Sequence, residues 1–244
     1  MRTWQAALTG VALATMLSAC GGDDSSGSSE PEGESFAEQS PEEIGKAAEK
    51  DMKALSSVRI AGELVNDGEE LSVDMALTTD GDCEGTLGIQ GGTTEIRSAG
   101  GSTWMKPDAA FWEASAGEQA AMIQGVVGDK WVVLGDGEDF AELCDLDELL
   151  DQMGDDEDEG KSEVDGTEEV DGTEAVKVTG ETDEGDPVTV WVAVDSPHHI
   201  LKMEVDQGEE PGTITFSDFD DELTVEPPAD DEVIDLNELG GQAG

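Results

Sequence analysis

The hydropathic period changes along this chain, and that change restricts the fold more than any other feature. Over residues 41–58 the apolar side chains Ile44, Ala47, Ala48, Met52 and Leu55 recur every three or four positions. That spacing predicts one amphipathic helix. Ser40 is placed to cap it, with Pro41 at the first helical position and Glu43 three residues beyond the cap. From Arg59 the period falls to two. Leu71, Val73, Met75 and Leu77 alternate with Ser72, Asp74 and Ala76, which makes one strand face apolar and the other wet, as in an antiparallel sheet. Further strands are expected at 83–89, 94–98 and 102–106, between Gly-rich turns.

Helical spacing returns over residues 108–127, in two short pieces, and over 138–153. In the latter, Phe140, Leu143, Leu146, Leu149, Leu150 and Met153 share a face. Between them 131–134 is a brief apolar run. Strands resume at 174–179, 187–195, 200–206, 213–217 and 223–226, and Val188, Val190, Val192 and Val194 fall on one face. Strands, helices, then strands again define an α+β domain: one large antiparallel sheet with helices packed on a single face. Residues 164–168 and 170–174 repeat the pattern Val-Asp-Gly-Thr-Glu. Two copies are too few for a solenoid, and the pair reads as a strand, an Asp-Gly turn and a second strand.

With 244 residues there is chain to spare beyond one such domain, assigned to 41–239. Sixty-one acidic side chains face 11 basic ones, a balance of −50, which makes nucleic acid and anionic headgroups poor electrostatic partners. The acids are spread through strands, turns and linker alike. This favours a solvated surface suited to salt or to colloidal stability over a dedicated site for cations or a basic partner.

The N-terminus carries a processing signal. Arg2 precedes an uncharged run over 6–19, too short for a bilayer core of about 30 Å and of the length of a signal-peptide core. The run ends Leu17-Ser18-Ala19-Cys20, with Gly21 and Gly22 after it. This resembles the lipobox of bacterial lipoproteins and implies cleavage after residue 19 and a diacylglycerol thioether on Cys20. An ordinary secretory signal is the other reading. A single acyl chain holds a protein only marginally, and a body this acidic offers no polybasic second anchor, so several chains, palmitate among them, are what it needs. Residues 21–40, rich in Gly, Ser, Asp and Glu, read as a linker with an r.m.s. reach of about 25 Å. Residues 240–244 read as a frayed tail.

Several segments carry a second resemblance: Leu55-Ser56-Ser57-Val58-Arg59-Ile60-Ala61-Gly62, Gly101-Ser102-Thr103-Trp104-Met105-Lys106, Lys130-Trp131-Val132-Val133-Leu134, Val190-Trp191-Val192-Ala193-Val194 and Thr215-Phe216-Ser217-Asp218-Phe219-Asp220. With the element order over 41–235, they resemble the LppX/LprG-type lipoproteins of actinobacteria, which share the curved half-barrel of the LolA-like lipid carriers. The resemblance implies an apolar cavity between sheet and helices that can hold acyl chains. It also implies anchorage on the outer leaflet of the plasma membrane. The residues offered for such a cavity are Leu71, Val73, Met75, Leu77, Trp104, Trp112, Trp131, Phe140, Leu143, Val190 and Val192. Trp191 and the eight methionines are also available, and all of these side chains could equally fill a solid core.

Three cysteines are an odd number. If Cys20 is lipidated, Cys83 and Cys144 remain as an extracytoplasmic pair, bridged or left as two buried thiols. Chemistry is otherwise sparse. A phosphate loop is nearly mimicked at Gly154…Gly160-Lys161-Ser162, with one residue too many and acids between the glycines. An EF-hand is nearly mimicked by Asp155, Glu157, Glu159 and Gly160, but its twelfth position is Gly166, where a bidentate Glu is needed. Adjacent His198 and His199 point to opposite faces of an extended chain and read as a turn into the next strand. No metal site, cofactor or catalytic set is expected, so the chain is not read as an enzyme. Two functions stand: a tethered monomeric carrier of a lipid or glycolipid, or an envelope interaction or sensing module with no small ligand.

Overall fold

Alternating residues make a hairpin, and hairpins repeated along the chain make the sheet. The computed structural model describes residues 35–66, 68–134, 144–154, 162–182, 185–208 and 210–236, all within the unit Glu34–Gly244. The strands are β1 (Ser57–Asn66), β2 (Glu69–Thr78), β3 (Cys83–Ile89), β4 (Gly92–Ala99), β5 (Ser102–Pro107) and β6 (Trp131–Leu134). After the helical middle come β7 (Glu163–Val170), β8 (Thr173–Glu181), β9 (Pro187–Ala193), β10 (Ile200–Val205), β11 (Gly212–Ser217) and β12 (Val233–Ile234). These strands form one sheet in the order β12-β6-β5-β4-β3-β2-β1-β11-β10-β9-β8-β7. Neighbours are antiparallel throughout except the parallel β12–β6 pair. The sheet is large, open and mostly antiparallel, and it carries few helices, as the hydropathy pattern requires.

The helices are α1 (Pro41–Met52), α2 (Ala109–Ala116), α3 (Ala120–Val127) and α4 (Leu146–Gly154). α1 starts where its capping box puts it: the Glu43 amide donates to Ser40 Oγ at 3.3 Å, and the Ser40 amide donates back to Glu43 Oε2 at 3.1 Å. Ile44, Ala48 and Met52 are buried along one side. The helix stops at Met52, not at residue 58. Asp220 accepts hydrogen bonds from the Ser56 amide at 2.7 Å and its hydroxyl at 2.9 Å. That clamp comes from 164 residues away and turns Ser56–Ser57 into the start of a strand, which local spacing cannot reveal.

Two further expectations are corrected. Residues 223–226 pair with no strand among the described residues. Pro227 and Pro228 follow, have no amide hydrogen to give a ladder, and the segment instead crosses the sheet with Val225 buried. The last strand is β12, too short to show a period. Residues 35–40, read as linker, fold against the domain: 36–38 make a 3-10 turn, and the Phe36 ring stacks on His198 at 3.7 Å. In the repeated Val-Asp-Gly-Thr-Glu, the second Asp-Gly is the β7–β8 turn, with Asp171 and Gly172 at positive φ. The first is a bulge inside β7, where the pairing shifts between Val164 and Thr167; β7 is an edge strand, and bulges discourage edge pairing.

Candidate functional site

The sheet curls. At about 4.8 Å per strand, β6 and β9, eight intervals apart in the sheet, would lie ~38 Å from each other if it were flat. Yet Val132 and Leu134 of β6 and Val188 of β9 border one hollow of about 1350 Å³. Its walls come from one face of the half-barrel: Ile60 and Leu64 of β1, Leu71, Val73, Met75 and Leu77 of β2, Leu87 and Ile89 of β3, Ile96 of β4 and Met105 of β5. On the far side Met203 of β10 and Ile214 and Phe216 of β11 complete it. Helices close the open side, α2 with Phe111 and Trp112 and α4 with Leu149. The wall is aliphatic because strand alternation sends every second side chain inward.

The roof is fixed at two points. Asp108 caps α2, its Oδ1 accepting from the Phe111 amide at 2.7 Å and its Oδ2 from Thr93 Oγ1 at 2.9 Å. Those bonds, the one from Phe111 foremost, hold its carboxyl below the usual carboxylate range. Gly92 lies directly under α2: a Cβ there would overlap the backbone at Ala110 and Phe111. The second point is a disulfide between Cys83 on β3 and Cys144 just before α4, with Cα atoms 5.4 Å apart. Leu146 and Leu150 are buried beside it.

Of the residues offered from sequence, Leu71, Val73, Met75, Leu77 and Trp112 border the hollow. Val190 and Val192 do not; they pack beneath α1 with Ile44 and Ala48. Trp104 and Trp131 have the opposite parity to their inward neighbours Met105 and Val132, so they stand on the outer face. There Arg97 lies over the Trp131 ring at 4.7 Å. Trp191 is also outside, under Lys202 at 4.4 Å and donating through Nε1 to Glu168 at 3.3 Å. A count of tryptophans is therefore a poor guide to the lining, whereas strand parity would have found Leu87, Ile89, Met203 and Ile214. Phe140, Leu143 and Cys20 lie outside the described residues, as do residues 155–161 and 240–244.

The histidines separate as expected. His198 Nδ1 pairs with the Ala193 carbonyl at 3.0 Å, and its amide donates to Asp51 at 2.8 Å. His199 is buried against Phe219, and that burial holds its imidazole below the usual range, against the pull of Asp220 and Asp51. Among the described residues no group of three His, Cys, Asp or Glu side chains is arranged to hold a metal, and no helix is long and apolar enough to cross a membrane.

A bent antiparallel sheet with a roofed apolar hollow defines the LolA-like half-barrel class. Solved structures share the architecture, two mycobacterial proteins among them. LprF from Mycobacterium bovis aligns with TM-score 0.55 and 21% identity, covering 78% of this chain and 98% of that one. The lipoprotein LppX from Mycobacterium tuberculosis aligns with TM-score 0.51 and 20% identity, covering 77% and 100%. At this identity the likeness establishes the fold, and that fold is the one the sequence segments point to. No protein-family model and no curated protein matches the chain.

Proposed function

We propose that this chain is a lipid-anchored extracytoplasmic lipoprotein whose half-barrel binds or carries a lipid or another hydrophobic molecule. The hollow supports this reading most directly. Its volume of about 1350 Å³ exceeds the roughly 300–1,000 Å³ of ordinary ligand pockets. At roughly 30 Å³ per water-sized group it has room for about 45 such groups, the scale of a molecule with two acyl chains. Val73, Leu87, Ile89, Leu134, Met203 and Ile214 are only partly buried around it, and each methylene placed against them gains about 0.8 kcal/mol. Cys20 supplies the tether in this reading, and the chain acts as a monomer.

Native mass spectrometry of protein extracted from its own membranes tests the proposal. Bound lipid is the expected result, and it should vanish in a Val73→Trp, Leu87→Trp double variant that fills the hollow, once a cooperative melting curve shows that variant folded. An unliganded wild type under the same extraction would favour the interaction module. Met122 and Val126, exposed at 75% and 53% on α3, are where such a module would offer apolar surface. Separately, Cys20→Ser should release the protein from washed membranes; retention would remove the anchor.

A further inference from the structure

We propose that the hollow selects uncharged lipids, of the diacylglycerol or neutral glycolipid kind, over lipids with an anionic headgroup. This inference rests on the carrier reading above. The observation is the charge inventory of the wall. Among the described residues no Lys, Arg or His borders the cavity; of its two acidic neighbours Glu204 is paired with Lys202 on the outer face, and Glu210 lies exposed at the rim. The remaining polar groups include Asn66, Thr94 and Ser115, which suit hydroxyls and esters rather than phosphate. The nearby cations are committed elsewhere. Arg59 pairs with Asp74 at 2.6 Å on the outer face, Lys202 pairs with Glu204 and covers Trp191, and Lys177 pairs with Asp165 at 3.1 Å.

Two physical costs follow for an anionic lipid. Drawn inward, its phosphate loses water and gains no cation, and an unpaired buried charge is among the most expensive groups a protein can hold. Left at the mouth, it sits in the field of a chain with net charge −50, which repels it until salt screens the field. An uncharged headgroup meets neither cost. The acyl chains are identical in both cases, so the wall does not distinguish them; the headgroup alone does.

The test compares dioctanoylglycerol with dioctanoylphosphatidate, two lipids with the same chains, as competitors for the neutral dye N-phenyl-1-naphthylamine bound to the full-length protein. At low salt the phosphatidate should be weaker by about tenfold or more, equivalent to at least ~1.4 kcal/mol. The gap should narrow as salt is raised and should narrow in Glu210→Lys, which puts a cation at the rim. Equal affinities at low salt would overturn the selectivity and leave the carrier reading standing. Displacement by neither lipid would overturn both.

Discussion

At the scale of single residues, His199 and Gly92 show how little a local pattern reveals of a position's cost. The His199 ring is lodged against Phe219 with Asp220, Asp51 and His198 around it, and burial lowers its proton affinity. The unfolded chain therefore takes up that proton first, and folding stability is lost as pH falls below the unfolded value of about 6.5. A melting curve should lose temperature between about pH 7.5 and pH 5.5, and His199→Phe should flatten that slope; an unchanged slope would assign it to other groups. The carboxyls of Asp51, Asp108 and Asp220 are also held low, each chiefly by a hydrogen bond from a backbone amide. Their stabilisation is present above the ordinary carboxylate pKa and disappears only below about pH 4, so the two windows can be told apart. Gly92 has no special turn to make; it is small because α2 rests on it. Gly92→Ala should cost roughly 1–3 kcal/mol and weaken lipid uptake, because the added methyl meets backbone and the helix carrying Phe111 and Trp112 must move. Full stability with normal uptake in that variant would show that the roof is not seated there.

At the scale of elements, the roof of the hollow is held by few contacts and one covalent bond. The Cys83–Cys144 bridge closes 61 residues of sequence and in the chain-entropy model stabilises by about 4 kcal/mol. Reduction should therefore lower the melting temperature and expose α4 to hydrogen exchange before the β1–β2 hairpin, since Leu146, Leu149 and Leu150 lose their pin. Simultaneous loss of protection in both would mean that the helix is held by packing alone. Element type was legible from sequence wherever alternation was long, as in β2 and β9, or wherever a capping box announced a helix, as at Ser40. It failed at 53–58 and 223–226. In the first, Asp220 reaches back across 164 residues to clamp Ser56 just ahead of β1; in the second, apolar spacing could not disclose that no strand lies alongside among the described residues.

At the scale of the whole molecule, charge and hollow both work against compactness. Sixty-one acids against 11 bases repel one another in the folded state, and an apolar cavity gives up packing that a solid core would gain. Two treatments should raise the melting temperature: salt, until screening saturates near a Debye length of about 3 Å at 1 M, and saturating lipid, by its binding free energy. A melting temperature flat in salt would show that the acids are already spaced far enough apart. The sequence alone determined the class of fold, the lipobox-like run at its N-terminus and the choice of Cys83 and Cys144 as the candidate pair, because each of these is written in spacing, composition or residue type. Only the tertiary structure decided which apolar residues face empty space. Leu87 and Val192 look the same in sequence; one borders the hollow and the other lies under α1. The difference is made by the curl of the sheet and by where each helix lands, and both depend on contacts between residues far apart in the chain.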